Sequence, residues 1–168
     1  DILDGYSIAG PNDKVIDLKN RAVMPGLIDM HVHLELELKK GSAAFDIMRN
    51  PTDIAFSSIK FANITLLNGF TTVRDLGGSG VNISLRNAIA RGEVTGPRAF
   101  TGGNSIATTG GHADPTNGYR KDLMGDPGPR EGVINGPDDA YKAVRQRYKE
   151  GSDLIKITAT GGVLSQAK

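Results

Sequence analysis

The sequence predicts an α/β fold built on a parallel sheet, and three observations support this prediction. Short β-branched runs alternate with stretches of helical periodicity, in the order β-α-β-α-β-α-β after a short N-terminal β piece. Such alternation favours right-handed crossovers between parallel strands. Residues 25–168 hold four of these strands, whereas a closed (β/α)8 barrel needs about 250 residues. We therefore predict the first half of a (β/α)8 TIM-type barrel, preceded over residues 1–24 by part of a small β domain.

The first predicted elements lie on either side of a Pro25-Gly26 turn. Strand-like runs at 15–18 and 22–24 form the N-terminal β piece, which is too short to bury a core alone. After the turn, residues 27–33 alternate between apolar and polar side chains, as a half-buried strand does. We therefore expect residues 27–33 to form the first barrel strand.

The later elements are predicted from helical spacing, from β-branched runs and from the turns and helix ends that glycine and proline mark. Helices are predicted near 52–67, 82–91 and 137–149, and strands at 70–75, 97–101 and 153–158. The segment 102–136 contains nine glycines and shows no clear periodicity. Because loops beyond about 15 residues are usually functional or disordered, we expect this segment to be a mobile loop over the active-site face.

The composition excludes several classes of function. Lys and Arg number 20 against 19 Asp and Glu, and aromatic residues make up 5% with no Trp, so nucleic acid is not an expected partner. The absence of Cys excludes disulfide scaffolds, thiolate zinc sites and cysteine nucleophiles. No apolar run approaches the roughly 18 residues that span a membrane, so we expect a soluble protein of the cytoplasm or the periplasm with no membrane partner. The chain opens on Asp1 rather than Met, so a removed signal peptide would not be visible.

The run His31-Val32-His33 is the first candidate for chemistry. Because side chains two apart on a strand share a face, Asp29, His31 and His33 lie on one side of the first strand. Two imidazoles at this spacing can direct a ring nitrogen each toward one cation, and neutral histidine is the commonest metal ligand. The plainer alternative is a pair of solvated or packed histidines.

Lys156 is the second candidate, because it lies inside the apolar run 153–158. In a strand, residues 155 and 157 face one way and residues 154, 156 and 158 face the other. A lone ammonium group facing the interior of a barrel is costly unless it is paired or chemically altered. One interpretation is a lysine near the strand end whose stem lies along apolar surface while its amine reaches solvent. The other is a lysine that has reacted with carbon dioxide, since the resulting carbamate is an anion able to bridge two metal ions.

His112 is the third candidate and follows Gly110-Gly111 in the long loop. Because this loop follows the third strand, His112 could contact a carbonyl or carboxylate group of a substrate; a surface histidine and a metal ligand are the alternatives. Arginines that could meet a substrate carboxylate are Arg74, Arg98, Arg120 and Arg130. The glycine-rich turn 77–80 could hold a phosphate at a helix start, although it lacks a full phosphate-loop pattern.

Several of these motifs resemble a known enzyme family. The run 23–34, Val-Met-Pro-Gly-Leu-Ile-Asp-Met-His-Val-His-Leu, is similar to the first-strand signature of the metal-dependent amidohydrolase superfamily. The runs 71–78 and 153–162 resemble its second strand and the fourth strand of its binuclear members. Together with Gly103 and the run 110–114, they resemble the imidazolonepropionase-like branch, and within it the Xaa-Pro dipeptidase (prolidase-like) group. The resemblance extends over residues 15–168.

The resemblance implies a site and a reaction. His31 and His33 would bind the more buried of two divalent metal ions, with zinc the default metal, and Lys156 would bridge both as a carbamate and so belong to the catalytic group. Two further histidines and a proton-transferring aspartate would come from strands five, six and eight, which lie outside this sequence. The implied reaction is hydrolysis of an amide (peptide) bond in dipeptides or N-acyl amino acids by a metal-activated hydroxide.

Two other functions stay open at this stage. The same metals could serve hydrolysis of a cyclic amide, as in imidazolonepropionase. Alternatively, the barrel could be a metal-free, non-catalytic binding domain. The expected partner is a small-molecule or dipeptide substrate, and the sequence leaves open whether the protein forms a homo-oligomer.

Overall fold

The computed structural model describes residues 8–39, 47–163, 165 and 167. Its sheet consists of strands β1 (Leu27–Val32), β2 (Phe70–Asp75) and β3 (Arg98–Thr101), which lie in that order. Both neighbouring pairs are parallel. Since parallel neighbours need a crossover between them, this order confirms the predicted α/β sheet.

The helices are α1 (Pro51–Leu67), α2 (Val81–Ala90), α3 (Lys121–Met124) and α4 (Pro137–Glu150). The three long helices agree with the predicted ones, whereas α3 is a single turn inside the segment that showed no periodicity. Proline suits the first position of α1 and α4 because its missing N–H has no partner there in any helix. Gly151 ends α4 in the left-handed region, with φ of 88°.

The apolar core lies between the sheet and helices α1 and α2. Its cluster joins Val73 at the centre of β2 to Ala62 of α1 and Leu85 of α2, together with Leu34 and Ala99. Val73 and Ala62 have no exposed surface. The middle strand is therefore held from both neighbouring strands and from the helical layer, which gives the carboxyl end of the sheet a rigid base.

The described part of the N-terminal segment, residues 8–24, contains turns but no strand. The strands predicted at 15–18 and 22–24 are therefore wrong. Val15 and Ile16 are 71% and 68% exposed, and within the described residues β1 pairs only with β2, so no described strand lies beside these runs. The assignment of residues 1–24 to a separate small β domain stays a prediction.

The predicted fourth strand is present only as a hydrogen-bonded segment. The backbone N–H of Asp153 donates to Thr101 O at 2.8 Å, and that of Thr158 donates to Ile106 O at 2.9 Å. A single parallel bridge joins Ile106 to Ile157. Pairing beyond β3 is irregular, and Gly103 in this stretch has a φ of +61°. Among the described residues the sheet therefore has three regular strands rather than four.

The segment 102–136 is anchored at several points rather than free over its length. Ala107 and Val133 form a parallel bridge, and Ile106 and Val133 are buried. The expectation of a structureless loop is therefore wrong for this part of it, because pairing between distant positions leaves no local periodicity in the sequence.

Arg147 of α4 adds a further anchor for this segment. Its side chain has no exposed surface, and its guanidinium group donates to the backbone carbonyls of Asn104, at 3.2 Å, and of Arg130. The same group lies 3.1 Å from the carboxylate of Glu150. The buried guanidinium group of Arg147 thus attaches the segment 102–136 to helix α4.

No helix in the described ranges is both long and apolar enough to cross a membrane.

Candidate functional site

The candidate site is centred on His31 and His33 at the carboxyl end of β1. Their ring centroids are 5.3 Å apart, with the planes inclined at 61°. The backbone N–H of His31 donates to Asp29 Oδ1 at 2.9 Å, so the third polar residue of the same strand face supports the strand locally. The structure therefore brings the two predicted metal ligands together, as the alternation of β1 indicated.

The ring of His33 is oriented by the backbone. Its Nδ1 lies 2.8 Å from the carbonyl oxygen of Gly77 and therefore carries the hydrogen, because a carbonyl can only accept. A neutral ring protonated at Nδ1 has its lone pair on Nε2. This tautomer is the one that a metal-ligating histidine adopts when a carbonyl holds its other nitrogen.

The electrostatic surroundings favour a neutral His31. Partial burial of the imidazole lowers its pKa, and electrostatic interactions with Lys156, His33 and Arg74 lower the pKa further, against the opposing effect of Asp29. A neutral imidazole is the form that binds metals. The same interaction shows that Lys156 lies within electrostatic reach of His31, although the two residues come from opposite ends of the sequence.

Lys156 lies on the inner side of its segment. Residues 154, 156 and 158 are half-buried, whereas residues 155 and 157 are exposed, which confirms the predicted alternation. This segment packs against the end of β3, since a Cβ added at Gly102 would lie 3.2 Å from Leu154 Cδ1 and 3.4 Å from Lys156 Cβ. Within the described part of the chain, no carboxylate forms an ion pair with the Lys156 amine.

These residues supply only part of a metal site. No group of three or more histidine, aspartate, glutamate or cysteine side chains in the described ranges could hold a metal ion. The two imidazoles nevertheless have the donor chemistry that a divalent cation needs, with one free ring nitrogen defined by the Gly77 contact. The residues present therefore fit a metal, and they require further donors.

Two buried carboxylates behind the histidine pair were not predicted as functional residues. Glu35, 5% exposed, accepts the backbone N–H groups of Ser79 and Asn82 at 2.6 Å each. It thereby occupies the N-terminus of α2, where the glycine-rich turn 77–80 indicated a possible phosphate site. The phosphate interpretation is unsupported, because a side chain of this chain already fills the position.

Asp75, 1% exposed, is the second buried carboxylate. It accepts the backbone N–H of Leu34 at 3.0 Å, the backbone N–H of Gly77 at 3.3 Å and the side-chain amide of Asn82 at 3.1 Å. Burial raises the pKa of both Asp75 and Glu35, although these hydrogen bonds oppose the shift. The local signal for Asp75 was its position at the end of a β-branched strand.

His112 is held by the segment that follows the Lys156 run. Its Nδ1 lies 2.8 Å from Ser165 Oγ, and its ring lies directly over Gly162, where an added Cβ would be 2.4 Å from the nearest ring atoms. His112 therefore contacts Gly162 and Ser165, which follow the Lys156 run, rather than the histidine pair.

The four candidate arginines differ in their surroundings. Arg74 donates from Nε to Met30 O at 2.8 Å and acts electrostatically on His31, so it belongs to the site. Arg120 pairs with Asp122 at 2.6 Å on the surface. The carbonyl of Arg130 is held by Arg147, and Arg98 lies at the opposite end of β3 from the site.

Comparison with known proteins gives the family. The family model described as Amidohydrolase family matches residues 22–168. A solved Xaa-Pro dipeptidase with methionine bound in its active site is 50% identical, with a TM-score of 0.88, and the match covers 98% of this chain and 40% of that chain. A prolidase solved in complex with N-methylphosphonate-L-proline is 34% identical, with a TM-score of 0.80, over 95% of this chain and 39% of that chain.

A curated relative, ochratoxinase from Aspergillus niger, is 28% identical over 156 residues, which are 86% of this chain and 32% of that protein. The chain thus spans about a third of this relative and two fifths of the solved structures. The prolidase-like resemblance and the barrel-type α/β fold are confirmed, while placement in the imidazolonepropionase-like branch stays a prediction. Because the family model matches nearly the whole sequence, the chain belongs to the amidohydrolase family.

Proposed function

We propose that the protein carrying this chain is a metal-dependent hydrolase that cleaves the amide bond of dipeptides or N-acyl amino acids, in the manner of an Xaa-Pro dipeptidase. The observation that carries the proposal is the oriented histidine pair, with His33 Nδ1 bonded to Gly77 O and the two rings 5.3 Å apart. The substrate class is supported by the 50% identity to an Xaa-Pro dipeptidase and by the prolidase solved with a proline-containing phosphonate.

In this proposal His31, His33 and Lys156 hold two divalent cations, with zinc the default for nitrogen and oxygen donors. When bound, such cations lower the pKa of water and polarise an amide carbonyl. The contribution of Lys156 is chemical: its neutral amine forms an N–C bond to carbon dioxide and releases one proton, which yields a carbamate anion. The absence of an ion-pair partner for Lys156 in the described part of the chain is consistent with this reaction, because no carboxylate competes for the amine.

His112 is proposed to contact the substrate. The hydroxyl oxygen of Ser165 lies 2.8 Å from His112 Nδ1 and 3.3 Å from Gly162 O, and its single hydrogen can serve only one of these acceptors. In our proposal it is donated to the closer Nδ1, which leaves the ring hydrogen on Nε2 for a carbonyl or carboxylate oxygen of the substrate. Arg74 is a second candidate for a substrate carboxylate because it donates to the carbonyl of Met30, the residue before His31. Neither residue is proposed to hold metal, so replacing either one should lower activity without lowering the metal content.

The test uses the whole protein and measures bound metal together with hydrolysis of an Xaa-Pro dipeptide. We expect His31→Ala and His33→Ala to lose metal and activity together. Lys156→Ala should also lose both, and a short-chain carboxylic acid added to this variant should restore part of each by supplying the missing anion. Lys156→Arg should fail as well, because its permanent charge cannot become an anionic bridge.

Lys142→Ala is the matched control, since this lysine is exposed on α4 and lies away from the histidines. It should keep wild-type metal content and activity. Wild-type activity and two bound metals in Lys156→Arg would contradict the bridging role. Hydrolysis of hydantoin-like cyclic amides in preference to dipeptides would replace the proposed substrate class while leaving the metal site intact.

A further inference from the structure

Asp75 is the buried group that connects both partners of the His33–Gly77 hydrogen bond. In the sheet, Asp75 of β2 is the register partner of Val32 of β1, so it lies beside the point where the chain turns from the strand into His33. One carboxylate oxygen accepts the N–H of Leu34 at 3.0 Å and the other accepts the N–H of Gly77 at 3.3 Å. A single side chain therefore holds the residue after the histidine and the residue whose carbonyl binds its ring.

The backbone conformation at Gly77 restricts this arrangement. Its φ of +137° lies in a region that side chains other than glycine rarely adopt. A Cβ added there would lie 2.4 Å from Ser105 Oγ and 3.8 Å from His33 Cε1. The carbonyl that accepts from His33 Nδ1 therefore belongs to a restrained turn. Ser105 packs against this turn on one side, and the Asp75 carboxylate accepts its Gly77 N–H on the other.

Asn82 completes the support of the carboxylate. Its side-chain amide donates to Asp75 Oδ1 at 3.1 Å, while its own backbone N–H is held by Glu35. Asp75 and Asn82 are both at most 2% exposed, so solvent cannot replace these hydrogen bonds if one is lost. Asp75 thus has a fixed orientation, which a group that positions another residue requires.

We propose that Asp75 is a positioning residue that keeps His33 in the Nδ1-protonated tautomer and so presents Nε2 to a divalent cation. The inference rests on the proposed function for its metal, whereas the tautomer itself is a property of the metal-free protein. Partners of this kind commonly change metal affinity by about 10- to 100-fold when they are removed. Asp75 does not touch the metal or the substrate, so its effect acts through Gly77 and Leu34.

The test compares Asp75→Asn with the wild type in the whole, metal-free protein. The variant keeps the shape of the side chain but replaces one acceptor oxygen by an NH₂ group, which cannot accept from Leu34, Gly77 or Asn82. Nitrogen-15 spectra of histidine-labelled protein, with His33 assigned from its absence in His33→Asn, report the tautomer directly. We expect a dominant Nδ1–H form in the wild type and a mixture of tautomers in the variant.

The second measurement is the zinc affinity, obtained by competition with a chromophoric chelator. We expect the affinity of Asp75→Asn to fall by at least tenfold. Asp114→Asn is the matched control, because its buried carboxylate also accepts backbone N–H groups, those of Gly110 at 2.8 Å and Thr116 at 2.9 Å, but holds neither Leu34 nor Gly77. The control should keep the wild-type tautomer and zinc affinity.

An unchanged tautomer together with a zinc affinity within twofold of the wild type in Asp75→Asn would overturn the proposal. So would a wild-type spectrum dominated by the Nε2–H form, a result that needs no variant. If Asp75→Asn does not fold, Asp75→Ser, which keeps one acceptor oxygen, takes its place with the same expectations. A protein that binds no zinc but shows the tautomer change refutes the proposed function and leaves the positioning role intact.

Discussion

Replacing Gly162 by alanine should displace His112 without disturbing the backbone. An added Cβ would lie 2.4 Å from both Nδ1 and Cε1 of the imidazole and 2.7 Å from Nε2. Optimal contacts between such atoms are about 3.5–4.0 Å, so the ring must move by about 1 Å or more. Gly162 is not among the glycines with positive φ, so alanine itself fits the local conformation.

The magnitude follows from the role proposed for His112. A displacement of about 1 Å in a group that positions the substrate can cost about 10²-fold in rate, which corresponds to about 2.7 kcal/mol of transition-state stabilisation. The hydrogen bond from His112 to Ser165, 2.8 Å long, should lengthen or break at the same time. We therefore expect kcat/KM for an Xaa-Pro dipeptide to fall by about 100-fold in Gly162→Ala.

The assay is steady-state hydrolysis by the whole protein, with bound metal measured on the same samples. Metal content should stay at the wild-type level, because His112 is assigned to the substrate and not to the metals. Gly128→Ala is the control, since an added Cβ there meets no atom within 4 Å and its φ is not positive. Wild-type kcat/KM in Gly162→Ala would show that His112 is only a surface histidine, and a parallel loss of metal would make it a ligand.

Three further predictions concern stability. Arg147→Met should lower the free energy of unfolding by about 3 kcal/mol in urea titrations, because it leaves two carbonyls and a carboxylate without their buried cation; a loss below about 1 kcal/mol would contradict this. Val73→Ala should cost about 2 kcal/mol, since this fully buried side chain leaves a cavity at the centre of the core, and an unchanged denaturation midpoint would show that the core refills. Burial of Asp114 opposes its ionisation, but hydrogen bonds from Gly110 and Thr116 outweigh this and lower its pKa. Its stabilisation should thus be complete above the unfolded pKa of about 3.9 and be lost as the pH falls through the lower folded value, so that the stability difference between wild type and Asp114→Asn shrinks below about pH 4.

The sequence was sufficient for features that depend on local periodicity. Alternation along β1 placed His31 and His33 on one face, and the structure brings their rings to 5.3 Å. The same alternation gave the inner position of Lys156. The three long helices were predictable because their first and last residues carry proline, acidic or glycine signals within one turn.

Features that depend on pairing between distant residues could not be predicted in this way. The contacts of Glu35 with Ser79 and Asn82 join positions 44 and 47 apart, and they exist only in the observed register of β1 and β2. The strands predicted at 15–18 and 22–24 were wrong for a different reason. Their composition is strand-like, but among the described residues no neighbouring strand pairs with them. The contacts that anchor the segment 102–136 were not predicted either, because the buried guanidinium group that holds this segment belongs to Arg147 of α4.

The capping of α2 by Glu35 also has a consequence for how the chain folds. The residue before the helix, Gly80, has no side chain that could accept a hydrogen bond from the N–H groups of the first turn of α2. Its cap comes from a carboxylate 47 residues earlier, which reaches Asn82 only after β1 has paired with β2. A short helix is marginal by itself, so we expect α2 to become stable only together with the docking of these strands. Hydrogen exchange should then show the first turn of α2 and the β1–β2 pair opening as one cooperative unit.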